Sequence, residues 1–311
     1  MKTRGTKRIY FFLVFLLSIM GTACTREMGQ CDRIYTIEDS LKLDGLTRTF
    51  TIHLPENYYD FGKKLPLVIG IHGTGGNARQ FAEQYAFSRK ADEAGFIAVY
   101  PEGVKKPGVL GLRTWNAGTC CDYAAENNIR DVEFIRLLSE QLAEKYNVDG
   151  KRIYLVGISN GGMLAYRLAA ELKGKFTAMA VVSGTMMTES FPADAELIPI
   201  LHIHSIKDEK VPYTGGVGIG GYYFTNVDSV LNKWAEAGRC SPGKTLKEES
   251  ELYSKWEWTP CAQGSTVNLY LTNDGGHSWP GGVKSRPAAD APSRAFNATD
   301  LIWDFLSKHK K

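Results

Sequence analysis

The chain has 311 residues, of which 43% are hydrophobic and 23% charged, and this excludes a disordered, collagen-like or polytopic membrane protein. Its formal net charge is +3, but Lys2, Arg4, Lys7 and Arg8 stand among the first 23 residues without an acid, which leaves −1 for the rest. A near-neutral body carries no electrostatic footprint for nucleic acid or an anionic surface.

At the N-terminus, basic residues 1–8 precede an unbroken apolar run, 9–17, that continues weakly to Met20. A membrane-spanning helix needs about 20 apolar residues, so this run reads as a signal peptide over 1–23. Gly21 and Ala23 suit signal cleavage. Cys24 directly after them resembles the acylated cysteine of bacterial lipoproteins, although Gly21 stands where that pattern usually has Leu. The expectation is an exported protein, lipid-anchored through Cys24 or simply secreted. A polar tether covers 24–33 and one domain covers 34–311. Any membrane contact would run through that anchor.

Elements follow in chain order. Residues 49–54 alternate at period two, as in a half-exposed strand. Residues 65–71 and 96–100 are near-continuous apolar runs, as in strands buried on both faces. A helix is expected over 78–94, ending at Gly95. Apolar positions at Val132, Phe134, Ile135, Leu138, Leu142 and Tyr146 predict a helix over 131–146. Strands at 153–156, 178–182, 198–203 and 267–271 alternate with helices at 160–172 and 226–237, and a helix over 298–309 closes the chain. Such alternation implies an α/β fold, with a mostly parallel sheet covered by helices on both faces. The irregular stretches 101–128 and 239–264 are expected to be loops over an active site.

Gly157-Ile158-Ser159-Asn160-Gly161 fits G-x-S-x-G between a buried-type strand and a helix. In that setting the serine sits on a sharp turn whose neighbours must be small. A serine hydroxyl is a weak nucleophile near neutral pH. It needs a histidine to take its proton and an acid to orient the histidine. Of six histidines, His53 and His72 precede the serine, His202 and His204 lie in a strand before any suitable acid and His309 lies in a Lys-rich tail, which leaves His277, after the last strand and flanked by glycines in Gly275-Gly276-His277-Ser278-Trp279. Asp208, just past the strand at 198–203, is the favoured acid, and Glu209 is its nearest rival. His202 and His204 share a strand face, but no third ligand of suitable spacing accompanies them, so they read as core histidines and no metal site is expected.

The strand at 65–71 runs into His72-Gly73-Thr74-Gly75-Gly76-Asn77, where glycines allow close backbone approach. The N–H groups of Thr74 and Asn160 are the candidate oxyanion donors. The loop lacks the glycine–lysine patterns of nucleotide sites. Trp115 and Trp279 either form flat walls for an aromatic or sugar group or pack, buried, under a loop; as substrate-site candidates they are walls. Asn297 heads a glycosylation-type triplet but reads as a helix N-cap. Cys240 and Cys261 flank a single insertion-like segment and are the favoured disulfide, with Cys31 to Cys120 or Cys121 as a second pairing.

Together these residues resemble the exported polyhydroxybutyrate-depolymerase-like esterases, which include feruloyl and acetyl-xylan esterases. The resemblance rests on His72–Asn77, Tyr100-Pro101-Glu102-Gly103, Trp115-Asn116 with Cys120-Cys121, Gly157–Gly162, Val211–Gly216, Trp234 to Cys240 and Gly276–Gly282, in family order over about residues 45–305. It implies an α/β-hydrolase fold, hydrolysis of carboxylic esters, no cofactor, and a Ser159–Asp208–His277 triad. The substrates it implies are feruloyl or acetyl esters of polysaccharide, with hydroxyalkanoate oligomers second. A non-catalytic carbohydrate-binding protein is the reading from another class. Two departures stand out. His204-Ser205 replaces a frequent His-Gly before the acid loop, and Arg130-Asp131 replaces paired aspartates at the start of a helix. The second is expected to touch the chemistry little.

Overall fold

The computed structural model describes residues 33–60, 62–109, 111–188, 190–191, 197–284 and 286–311. The expected signal peptide, all but the last residue of the expected tether, and Cys24 therefore lie outside the described residues, as does Cys31. Ile34–Lys311 form one unit.

Ten strands make one sheet. They are β1 (Thr36–Leu43), β2 (Leu46–His53), β3 (Leu65–Ile71), β4 (Ile97–Pro101), β5 (Val148–Ile158), β6 (Ala178–Val182), β7 (Ile200–Ser205), β8 (Thr245–Glu249), β9 (Tyr253–Trp258) and β10 (Val267–Thr272). Their order across the sheet is β1-β2-β4-β3-β5-β6-β7-β10-β9-β8. From β4 to β10 every neighbour pair is parallel, and antiparallel hairpins extend both edges. The helices are α1 (Ala78–Gln84), α2 (Phe87–Ala94), α3 (Asp122–Glu126), α4 (Asp131–Lys145), α5 (Asn160–Glu171), α6 (Val227–Ala237) and α7 (Ala298–Leu306).

The period-two geometry of a strand sorts the core into two layers. Leu67, Ile69, Leu155 and Val181 pack towards α4, α5 and α6, while Val68, Tyr154, Val156 and Ala180 pack towards α1, α2 and α7. Both faces of the parallel strands are thus covered, which is why β3, β4 and β6 are apolar at nearly every position.

Two expectations change. The helix over 78–94 is broken, because Ala86 takes a left-handed conformation (φ 54°) and starts α2 in a new direction. The stretch 239–264 is not a loop over a site. It forms the β8–β9 hairpin at the sheet edge, its outer strand fully exposed. Cys240 and Cys261 are disulfide-bonded and tie the end of α6 to the approach to β10. Cys120 and Cys121 are joined to each other, so the pairing of either with Cys31 is not what the structure contains. Among the described residues no helix is long and apolar enough to cross a membrane. The Asn297 side chain caps α7, accepting from the Thr299 and Asp300 N–H groups.

Candidate active site

Ser159 lies between β5 and α5 with φ 54° and ψ −127°, a conformation that costs an L-residue strain. The surrounding sequence permits it. A Cβ at Gly157 would run into the Gly161 carbonyl, and one at Gly161 would run into the carbonyl oxygens of Ile71 and His72. The Ser159 N–H donates to the Val182 carbonyl at 2.9 Å, pinning the turn to β6. A Cβ on Gly73 would stand 3.1 Å from that of Ser159, so the loop after β3 packs directly on the serine.

His277 follows β10 in a glycine-rich turn. Gly275 has φ +71°, and a Cβ there would sit 2.6 Å from the Ser293 nitrogen. The His277 N–H donates to Asp290 Oδ2 at 2.8 Å, and Asp290 pairs with Lys210 at 2.9 Å. Asp290 therefore holds the backbone of this loop, a role with no mark in the sequence.

The imidazole donates from Nδ1 to Asp208 Oδ2 at 2.8 Å. That assignment leaves the Nε2 lone pair free to act as a base. Asp208 is buried in the turn after β7, and its Oδ1 accepts the N–H groups of Lys210 (3.0 Å) and Val211 (2.9 Å). Burial pushes its carboxyl up. The hydrogen bond and charge of His277, the nearby His204 and the Val211 N–H outweigh this and hold it below the usual carboxylate value. Glu209, the rival acid, makes no such contact among the described residues.

The candidate oxyanion loop is braced by buried groups. His72 donates from Nδ1 to the Gly73 carbonyl at 2.7 Å and accepts the Gly103 N–H at Nε2, 3.0 Å away. Burial lowers its pKa to about 4, so it stays neutral and can play both parts. Asn160 uses its side chain as a strand would, accepting the Trp115 N–H at 2.7 Å and donating to the Trp115 carbonyl at 3.0 Å. Among the described residues, neither the Thr74 N–H nor the Asn160 N–H has an acceptor within the chain. The latter lies in the first turn of α5, where the helix dipole also favours negative charge.

Ser159, His277, Thr74, Asn160 and Trp279 all line one cavity of about 590 Å³, and Asp208 stands behind His277. Trp115 does not. It is fully buried, its indole N–H donates to the His72 carbonyl at 2.8 Å, and its backbone holds Asn160. The expectation that it walls the substrate site is corrected: it is a beam beneath the glycine loop that follows β3. Trp279 lines the cavity but is largely buried: its ring stacks on Tyr85 (centroids 4.4 Å apart) and its N–H donates to Thr299.

Arg130-Asp131 matters more than expected. Asp131 is buried, takes Arg48 at 2.6 Å on one oxygen and accepts the Asn116 N–H at 2.7 Å on the other. Arg167 donates to the Asn116 carbonyl at 3.0 Å. The strip that holds Asn160 is thus anchored by a buried ion pair. The rest of the cavity wall comes from the loop 73–77, from α1 with Tyr85, from Ile158 and Met163, from residues near 210–224 and 277–290, and from Leu112, Cys121 and Asp122. The stretch 239–264 contributes none of it.

The family model "Esterase PHB depolymerase" matches residues 49–208, which is half of the sequence and spans both the serine turn and the acid. The chain belongs to this family. It is 25% identical over 278 residues to a bifunctional acetylxylan esterase/xylanase of Neocallimastix patriciarum, covering 88% of this chain and 35% of that protein. It is 27% identical over 258 residues to feruloyl esterase C of Emericella nidulans, covering 81% and 84%. The chain thus spans about a third of the bifunctional relative and most of the other. Among solved structures, the acetyl xylan esterase from Aspergillus awamori superposes with a TM-score of 0.60 over 87% of this chain and 99% of that one, at 14% identity. The sheet order and this likeness make the fold an α/β-hydrolase, and the family is one of carboxylic ester hydrolases.

Proposed function

We propose that the protein is a serine carboxylesterase acting through an acyl-enzyme. The observation that carries this reading is one cavity wall that presents Ser159, the Asp208-bound imidazole of His277, and two N–H groups without acceptors. Ser159 Oγ attacks the ester carbonyl as His277 Nε2 takes its proton. The oxyanion forms between the Thr74 and Asn160 N–H groups. Asp208 stabilises the imidazolium, which then passes its proton to the leaving alcohol. A water, deprotonated by the same Nε2, releases the acid and restores the serine.

The favoured substrates are acyl esters of plant polysaccharide, feruloyl before acetyl. The cavity is far larger than an acetyl group needs, and Tyr85, Tyr222, Phe224 and Trp279 supply aromatic surface. The names of the relatives point to the same ester class. Hydroxyalkanoate oligomers are the second reading, favoured by the family to which the chain belongs. Export, with Cys24 as lipid site or Ala23 as the last residue removed, is part of the proposal. The mass of the mature N-terminus tests it.

The test of function compares methyl ferulate, an acetylated xylo-oligosaccharide and a hydroxybutyrate oligomer, with Ser159→Ala as control. Preferential turnover of the ferulate, lost in the variant, supports the reading. Preference for the hydroxybutyrate oligomer moves the substrate to the second reading. No turnover of any ester returns the chain to a binding role.

A further inference from the structure

Behind the His277–Asp208 pair lies a file of buried polar groups that the mechanism above does not use. Tyr166 on α5 and His202 and His204 on β7 are at most 1% exposed. The Tyr166 hydroxyl lies 2.7 Å from His202 Nδ1, and His202 Nε2 lies 3.1 Å from His204 Nδ1. His204 Nε2 is 2.8 Å from the Val211 carbonyl and 3.5 Å from Asp208 Oδ2. The two imidazoles are parallel within 4°.

Chemistry fixes the direction of this file. The Val211 carbonyl and the Asp208 carboxylate only accept, so the proton of His204 sits on Nε2. A neutral His204 then accepts at Nδ1, which makes His202 a donor at Nε2 and an acceptor at Nδ1. The Tyr166 hydroxyl supplies that last proton. Every link requires neutral imidazoles, and burial holds both histidines below their ordinary range, with the mutual effect of the pair adding to it for His202. A protonated His204 would turn its Nδ1–H against the N–H of His202.

Resting on the triad reading above, we propose that Tyr166, His202 and His204 are positioning residues that seat the Asp208 turn: the His204 Nε2–H is bonded to the carbonyl of Val211, the residue whose N–H bonds Asp208 Oδ1, and it lies 3.5 Å from the same Oδ2 that bonds His277. The partial positive charge of the His204 N–H, 3.5 Å away, offsets part of the carboxylate's negative charge, so that Asp208 supports the His277 imidazolium without trapping the proton there. Other ionisable groups face this region. Lys210 is paired with Asp290, and Tyr213 has its ring 5.8 Å from His204 and its hydroxyl bonded to Lys244, itself paired with Asp228. None of these is altered in the variants below.

The test is the pH profile of kcat and kcat/KM on a soluble ester, for the wild type, Tyr166→Phe, His204→Gln and His204→Leu. Leucine removes both nitrogens of the link. The glutamine amide nitrogen reaches the place of Nε2 and keeps the donor. For His204→Leu, kcat should fall by up to about tenfold, because the turn that seats Asp208 loses one neutral hydrogen bond, with KM little changed. The acid limb of kcat/KM should move up by about half a pH unit, because Asp208 then holds the His277 proton more tightly. His204→Gln should return the limb towards the wild-type position. Tyr166→Phe keeps the core volume, remains informative where the leucine variant does not fold, and should shift the limb in the same direction by less. Acid limbs superimposable on the wild type in folded Tyr166→Phe and His204 variants overturn the inference alone. A wild type without ester turnover or covalent labelling by an organophosphonate overturns the triad reading and this inference with it.

Discussion

Replacing Asn160 by aspartate changes one group in a buried side chain and tests how the oxyanion loop is held. Asn160 is 1% exposed and makes two hydrogen bonds to the Trp115 backbone, one as acceptor and one as donor. Asn160→Asp preserves the acceptor and sets a second oxygen against the Trp115 carbonyl. The introduced carboxyl restores the lost bond only by keeping its proton, so it titrates far above its unfolded value of about 3.9. This gives the sign. Below about pH 4 both folded and unfolded chains are protonated and the ionisation cost is small. As pH rises, the unfolded chain releases the proton while the folded chain retains it, and stability falls by about 1.4 kcal/mol per pH unit. A carboxyl still protonated at pH 7 costs about 4 kcal/mol there. Urea unfolding of the wild type and variant at several pH values measures the difference, which should widen from acid to neutral pH. Asn160→Ala leaves both Trp115 groups without that partner and should lose stability by an amount that does not vary with pH. A difference between Asn160→Asp and the wild type that is flat with pH would refute the proposed role of the side chain.

Other consequences follow from the same contacts. Asp131→Asn leaves Arg48 buried without its counter-charge and should cost about 3–5 kcal/mol in urea unfolding; a loss under about 1 kcal/mol would show the pair to be dispensable. Burial keeps His72 neutral down to about 4, whereas the unfolded chain takes up the proton near 6.5. Stability should therefore fall by about 3 kcal/mol as pH drops across that window, and His72→Asn should lack that slope. Gly161→Ala drives a methyl into the carbonyls of Ile71 and His72, which separates the serine turn from the oxyanion loop; kcat should drop by about a hundredfold, and full activity would contradict the packing seen here. Removing the Cys240–Cys261 bridge by serine substitution frees a loop of some twenty residues and should cost about 3 kcal/mol, read as a lowered Tm.

Much of this architecture is legible in the residues because burial on both faces leaves a plain signature. β3 and β6 have the bounds read from their apolar runs, and the strand-to-helix setting of Ser159 follows from glycines placed around a strained serine. The expectation failed where local pattern is weak or misleading. The apolar spacing of 78–94 continues across Tyr85 and Ala86, so nothing in it marks the left-handed turn that divides α1 from α2. β8 is exposed at all five positions and lacks the alternation that marks a half-buried strand. Asp131, Asp290 and the side chain of Asn160 act through partners that are far off in the chain, 83 residues away for Arg48 and 45 for Trp115. The place of Trp115 is hidden in the sequence for a related reason. A tryptophan in an irregular segment looks available to a ligand until the backbone above it is seen to need its N–H.

The central claim is that Ser159 is the nucleophile of an ester hydrolase, and its most direct test is stoichiometric labelling with an organophosphonate followed by peptide mass spectrometry. The account predicts one adduct per chain on the peptide that holds Ser159, ester hydrolysis lost in proportion to labelling, and neither adduct nor turnover in Ser159→Ala. Ester hydrolysis that persists in a fully labelled enzyme, or in Ser159→Ala, would contradict it.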